Sequence, residues 1–332
     1  MLAVRYSRYG NPPDVAELYE APEPGTPGPG EVLVDVDVTA INPSDLLRFE
    51  GRYGKEGAAL PADAGSGGVG TVAAVGPGVV GVKPGDPALL HTYFIGTGLW
   101  RQRLKARAED IFPLPPADPL QLGMLTGNPP SAWVMLHDYV KLQPGEWLIQ
   151  NAANSAVGHY LIKLARGAGL RTLNVVRRAD AVQELVDFGG DAVLVDGPDL
   201  AERVRQLTGG KPPRLAIDAI AGEATQRLAN SVADGGTVVN YGLLSGQACR
   251  VEPRDTVFRD VTLRGFWLQS WWNHTPRQDV RALYARLAGM VADGSLTVPV
   301  EATYPLSKIR QALEHAARPG RVGKVLLRPQ AG

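Results

Sequence analysis

A chain of 332 residues exceeds one ordinary hydrophobic core, so two domains are expected. Its 34 basic and 34 acidic residues cancel, which leaves no net field to draw nucleic acid or an anionic membrane surface. No apolar run is long enough for a bilayer span and the first residues lack a signal peptide's apolar core, so a cytosolic location is expected. The single cysteine, Cys249, excludes an internal disulfide and a cysteine-rich zinc site, and reads as a small, partly buried side chain.

The first part of the chain, to about residue 110, carries short β-branched runs at 31–39 and 69–75 between Gly and Pro clusters, the texture of a mainly β domain. Val32, Val34, Val36 and Val38 alternate with other residues, so one face of that strand is buried. Lys83, Pro84, Gly85 and Asp86 form a tight turn. From Pro119 onward helical segments alternate with strands expected at 147–151, 172–176, 192–195, 215–219, 237–241 and 261–266. Six strands separated by helices predict a doubly wound parallel sheet, and hence an α/β protein. Beyond Trp267 come a long amphipathic helix over 277–293 and a short closing strand, Lys324–Leu327. The expected division is 1–118 with 267–332 as one domain and 119–266 as the other.

The most informative segment is 146–178, EWLIQNAANSAVGHYLIKLARGAGLRTLNVVRR. Ala153, Ser155 and Gly158 fall at the three glycine positions of a dinucleotide-binding GxGxxG turn, and only the last is glycine. Small side chains still let the backbone approach a pyrophosphate, and free N–H groups at a helix start attract anionic oxygens. Val157, Leu161, Leu164 and Ala165 then give the helix one apolar stripe to lay on a sheet.

The next strand ends on Arg177 and Arg178, where an Asp or Glu would hydrogen-bond the 2′-hydroxyl of NAD. Two guanidinium groups suit the 2′-phosphate of NADPH, which an acid would repel. Read by type alone, the same dipeptide is also a solvated loop pair.

Six motifs in order make the pattern specific: INPSD (41–45), GRYG (51–54), TGNPPSAW (126–133), NAANSAVG (151–158), LRTLNVVR (170–177) and RGFWLQSW (264–271). Together they resemble the medium-chain dehydrogenase/reductase superfamily, and within it the mitochondrial-type trans-2-enoyl-CoA or acyl-carrier-protein reductases. The resemblance implies a GroES-like, mainly β catalytic domain plus a Rossmann domain that binds NADPH. It also implies a homodimer joined through the edges of the nucleotide-binding sheets. The superfamily's zinc-dependent members use a cysteine and a histidine in the first domain. Neither occurs at the corresponding places, which read INPSD and AGSGGVG, so a metal-free reaction is expected. His91, His137, His159, His274 and His315 are scattered, and each reads as a surface or satisfied histidine.

By resemblance, Tyr53 is the group that stabilises the thioester oxygen and supplies a proton as hydride reaches the β-carbon. The cofactor contacts carried over by position are Asn128, Asn154, Ser155, Ala156, Val157, Arg177, Arg178, Tyr241, Gly242, Leu243, Leu244, Phe266, Trp267, Leu268 and Lys324. Asn42, Trp100 and Trp271 are carried over as substrate-pocket residues. Read by type alone, Tyr53 is a loop aromatic, Asn128 a turn residue, Tyr241 and Gly242 a strand end, the tryptophans and Phe266 core aromatics, and Lys324 a surface charge. Two departures stand out: Ser66 and Gly67 replace the family's Asn-Glu pair, and the IGTGLW segment is reordered. The expected substrate is an enoyl thioester on coenzyme A or an acyl-carrier protein. The alternatives are an NADPH-dependent quinone oxidoreductase and a non-catalytic NADPH-binding redox sensor. The lack of a mitochondrial leader ahead of the first strand fits a bacterial-type chain.

Overall fold

The computed structural model describes residues 1–54 and 57–331. The first strands are β1 (Leu2–Tyr6), β2 (Glu17–Glu20), β3 (Glu31–Ala40), β4 (Ala62–Asp63), β5 (Gly67–Val75), β6 (Pro87–His91), β7 (Arg103–Arg107) and β8 (Phe112–Pro113). There follow β9 (Trp147–Gln150), β10 (Arg171–Val176), β11 (Ala192–Val195), β12 (Leu215–Asp218), β13 (Thr237–Asn240), β14 (Thr262–Gly265), β15 (Val300–Tyr304) and β16 (Lys324–Leu327). They fall into two units, Met1–Gly127 with Pro276–Gly332, and Asn128–Thr275.

In the first unit a small antiparallel sheet, ordered β2-β1-β4, accompanies a larger one ordered β15-β16-β3-β5-β6-β8, with β7 also paired to β3. The alternation in β3 works as expected: Val32, Val34, Val36 and Val38 are all buried, the first three packed with Val72, Leu90 and Leu104. The end of the chain returns to this unit as β16, which lies antiparallel to β3 with Leu326 opposite Ala40.

The second unit is a six-stranded parallel sheet ordered β11-β10-β9-β12-β13-β14. Numbered from β9, that is 3-2-1-4-5-6, the doubly wound order with its switch point between β9 and β12. Ile149, Leu173, Val175, Ala216, Leu228 and Val238 form its core. The strands are those the β-branched runs predicted, each within a residue or two at the ends.

The division lies beyond the expected boundaries at 118/119 and 266/267. Gln121 explains the first shift, because its side-chain amide donates to the carbonyl of Val298 at 3.0 Å and accepts from the same residue's N–H at 3.1 Å. The second follows from the helix Leu268–His274, which stays with the parallel sheet. Phe266 N–H continues the ladder to Asn240 O at 2.8 Å, and Trp271 Nε1 donates to Asp138 Oδ2 at 3.1 Å.

Candidate functional site

The turn after β9 shows why two of three glycines are dispensable. Ala152 takes the left-handed conformation (φ 46°), Ala153 is fully buried beneath it, and Ser155 caps the helix Ala156–Gly167 by accepting from Gly158 N–H at 3.2 Å. Gly158 is different: a Cβ there would strike the carbonyl oxygen of Ala153, so only glycine lets helix and strand close up. The cap uses one first-turn donor and leaves those of Ala156 and Val157 for an anion. Asn154 and Ala156 are half-buried and Val157 is buried.

A polar network that sequence reasoning missed fixes the carboxyl ends of β9, β12 and β13. Asn151 Nδ2 donates to Asp218 Oδ1 at 2.6 Å, while Asn151 Oδ1 accepts from Ala219 N–H at 2.8 Å. Asp218 also accepts from Ile220 N–H, Ala221 N–H, Thr225 Oγ1 and Asn240 Nδ2, at 2.7 to 3.1 Å. Asn240 Nδ2 further reaches Gly242 O at 2.9 Å, so the network holds the Gly242 turn in place. The buried Asp218 is fully satisfied, which is what makes it tolerable in the core. The available signal was a polar residue closing each of three otherwise apolar strands.

The expected cofactor residues of this unit gather at that carboxyl edge, where open α/β sheets take their ligands. Burial raises the pKa of Tyr241, and the neighbouring Ser155 hydroxyl opposes the rise. Gly242 packs so closely on Ala219 that a side chain would strike the carbonyl. Leu243 and Leu244 project as exposed apolar groups, 46% and 63% accessible. Arg177 and Arg178 are both exposed just past β10. Arg178 Nε pairs with Asp180 at 3.0 Å, and Arg177 makes no ion pair among the described residues. Phe266 lies edge-on to Tyr139 at 6.4 Å, and Trp267 caps the helix that begins at Leu268; all three of Phe266, Trp267 and Leu268 are half-buried. Asn128 opens the helix Asn128–His137, and Trp271 is tied to Asp138.

In the other unit, Asn42 precedes the helix Pro43–Phe49 and gives its N–H to Asp45 Oδ2 at 2.8 Å, while Asp45 Oδ1 holds Ser66 N–H at 3.0 Å. Burial raises the pKa of Asp45, and these two hydrogen bonds oppose it. Gly67 has a packing explanation, since a Cβ would lie 2.5 Å from Thr126 Cβ and leave no room for an acid. Trp100 is fully buried in the core with Tyr6 and Phe49, and Gly65 leaves room for its ring. Tyr53 is half-buried, between Gly51 (φ 70°) and Gly54 (φ 87°).

Lys324 begins β16, is only 6% accessible, and donates from Nζ to Ile41 O at 3.0 Å. Burial, reinforced by Arg321, pulls its pKa down to about 7 from 10.5. The unfolded chain therefore binds the extra proton between about pH 7 and 10.5, so this residue's cost is full below pH 7 and is relieved as pH rises. Relative to Lys324→Met, the wild-type chain should gain about 1–2 kcal/mol of urea-unfolding stability between pH 7 and 9. A difference between the two that does not change with pH would place the ammonium in water.

The histidines do not make a metal centre. His91 accepts from Tyr93 N–H at 2.9 Å and burial pulls its pKa to about 3; His159 is likewise buried and pulled to about 4. His137 stacks on Trp133 at 4.2 Å. Among the described residues no three His, Cys, Asp or Glu side chains converge as ligands, so the donor set does not fit a zinc ion.

The alcohol dehydrogenase GroES-like domain family matches residues 28–116, and the zinc-binding dehydrogenase family matches 156–288. The chain is 36% identical over 324 residues to the mitochondrial enoyl-[acyl-carrier-protein] reductase of Rattus norvegicus, covering 96% of this chain and 86% of that one. Among solved structures it resembles a candidate NADPH:quinone reductase of Bacillus thuringiensis (30% identity, 98% of both chains, TM-score 0.88). It shares its fold with the mitochondrial 2-enoyl thioester reductase Etr1p/Etr2p heterodimer of Candida tropicalis (24% identity, 98% and 99% coverage, TM-score 0.86). The expected cytosolic location does not stand, because curated relatives from rat, Dictyostelium discoideum and Arabidopsis thaliana are mitochondrial enzymes. Nor does any described helix have the length and apolarity to cross a membrane. With a GroES-like unit, a doubly wound unit and relatives matching from end to end, the chain belongs to the medium-chain dehydrogenase/reductase superfamily, among its zinc-free enoyl reductases and quinone oxidoreductase-like proteins.

Proposed function

We propose that the chain reduces the carbon–carbon double bond of a 2-enoyl thioester at the expense of NADPH. The placement of Arg177 and Arg178 carries the reading: two exposed guanidiniums follow β10, beside a capped small-residue turn whose first-turn N–H groups suit an anion. The substrate class is the one named for the rat relative. NADPH, when bound, supplies the hydride that reaches the substrate's β-carbon.

The chain's own residues do the rest. The N–H groups of Ala156 and Val157 hold the pyrophosphate, with Asn154 and Ser155 beside them, and Arg177 with Arg178 grips the 2′-phosphate. Tyr241 to Leu244 and Phe266 to Leu268 flank the remaining length of the cofactor, and Asn128 and Lys324 are further contacts. Tyr53 donates its phenolic hydrogen bond to the thioester oxygen as negative charge collects there, and its proton then passes to the α-carbon, the phenolate being reprotonated from water. The products are NADP⁺ and the saturated thioester. Polarising the carbonyl is the part assigned to Tyr53.

The test is NADPH oxidation with crotonyl-CoA, a longer 2-enoyl-CoA, a 2-enoyl acyl-carrier protein and a simple quinone in parallel. Turnover with the thioesters supports the proposal, and the ratio between carriers assigns the thioester's partner. Turnover with quinone alone transfers the assignment to a quinone reductase, the reading favoured by the Bacillus thuringiensis likeness.

The protein works as a homodimer in this proposal. All four residues of β14, an edge strand, are exposed, and Val257 and Phe258 beside it are 68% and 82% accessible. An open strand edge with apolar neighbours invites a second copy. Light scattering should give twice the chain mass, and Phe258→Asp should shift the protein to monomer at micromolar concentration. A monomeric wild type would sink the proposal.

A further inference from the structure

Tyr53 sits on a short segment whose backbone is pinned from below. The ring of Tyr9 underlies Gly51, where a Cβ would lie 3.0 Å from it, and the Tyr9 hydroxyl donates to Ala58 O at 2.6 Å. Tyr9 thus holds the chain on both sides of Tyr53 and leaves the ring's orientation to its side-chain contacts. One of these is Arg48, from the last turn of the helix Pro43–Phe49, whose guanidinium carbon lies 4.5 Å from the centre of the Tyr53 ring.

Arg48 is an unusual cation in its surroundings. It makes no ion pair among the described residues, and its Nε is buried with no hydrogen-bond partner. It is half-buried and lines a small cavity with Tyr6, Asp45, Phe49 and Thr92. The Asp45 carboxylate on the same cavity attracts Arg48 without a close ion pair, and the aromatic face adds compensation for a partly desolvated guanidinium. The contact is reciprocal: losing the ring removes a partner from Arg48, and losing the cation removes one of the contacts that fix the ring about χ1. A hydroxyl misdirected by one rotamer no longer reaches a developing oxyanion.

We propose that Arg48 is a positioning residue for Tyr53, its guanidinium holding the phenol ring in the orientation that the reduction requires. This rests on the catalytic role assigned to Tyr53 above. Arg48→Met keeps length and removes charge, whereas Arg48→Lys keeps a cation above the ring, although without the planar fork.

Two measurements on the full-length protein separate the inference from the function it serves. With ¹³Cζ-labelled tyrosine, the Tyr53 resonance, assigned by its absence in Tyr53→Phe, should move in Arg48→Met and return most of the way in Arg48→Lys. That signal needs no substrate, so it decides the contact even if the chain reduces no thioester. In turnover, Arg48→Met should lower kcat about 10-fold with KM for thioester and NADPH within about 2-fold, and Arg48→Lys should recover most of it. In the Tyr53→Phe background, Arg48→Met should have no further effect on kcat, because the group it positions is gone. An unmoved resonance, a lysine variant no better than the methionine, or the same fractional loss of kcat with and without the Tyr53 hydroxyl would each overturn the inference. A wild type inactive on thioesters but with the expected resonance shifts would overturn the function and leave the contact standing.

Discussion

Tyr53→Phe should lower kcat for 2-enoyl thioester reduction by about 10²-fold, the loss that follows removal of one oxyanion donor from an acyl-type site. The substitution removes one hydroxyl and keeps the ring. Tyr53 is half-buried, and Tyr9 packs against Gly51 and bonds Ala58 on either side of it. Phenylalanine keeps the ring face on which Arg48 sits, so the cation keeps its compensation. KM for NADPH should stay within about 3-fold, because the lost hydrogen bond is realised mainly in the transition state. Quinone reduction draws a different response, since a quinone offers no thioester oxygen for the phenol to stabilise. Steady-state kinetics with both substrate classes therefore reads the residue and the reaction together. A Tyr53→Phe enzyme within about 2-fold of wild type on thioesters removes the phenol from the mechanism.

The parts of this protein that were legible in its sequence are those set by local composition. The β-branched runs ending at Val176, Val195 and Asn240 are strands because such residues favour a pleated, buried backbone, and their spacing with helices leaves a doubly wound sheet as the economical solution. The small-residue turn was readable for the same reason, although only the structure shows that Gly158 is demanded by Ala153 while Ala153 and Ser155 are adequate substitutes for glycine. What could not be read depends on residues distant in the chain. Asn151 and Asp218 meet across 67 positions, and Gly67 is glycine because Thr126 fills the space beside it. Trp100 shows the limit of residue type, since a tryptophan suits a pocket wall and a core equally until its neighbours are known. The domain boundaries moved for a similar reason, because Gln121 is committed by a pair of long-range hydrogen bonds and Trp271 by one.

Replacing Arg177 and Arg178 together with alanine should raise KM for NADPH by about 10²-fold, while KM for NADH changes by less than about 3-fold. The two cofactors differ only in the 2′-phosphate, so the ratio of the two effects isolates that group from every other contact. The arginines should not contribute equally. Arg178 already spends its Nε on Asp180 at 3.0 Å, in a pair whose side chains are 45% and 68% accessible, whereas Arg177 has no ion-pair partner among the described residues. An exposed pair of that kind is worth little on its own, yet it must be broken or shared before Arg178 can grip a phosphate with both of its donors. Arg177→Ala should therefore carry the larger share of the loss. Asp180→Ala should lower KM for NADPH modestly by releasing Arg178 and by removing a like charge from the incoming phosphate. Rising ionic strength should weaken NADPH binding more than NADH binding in the wild type and equally in the double variant, since only the former keeps the exposed cations that salt screens. Parallel losses for NADPH and NADH in the double variant would mean that the arginines are merely a solvated pair at the end of β10.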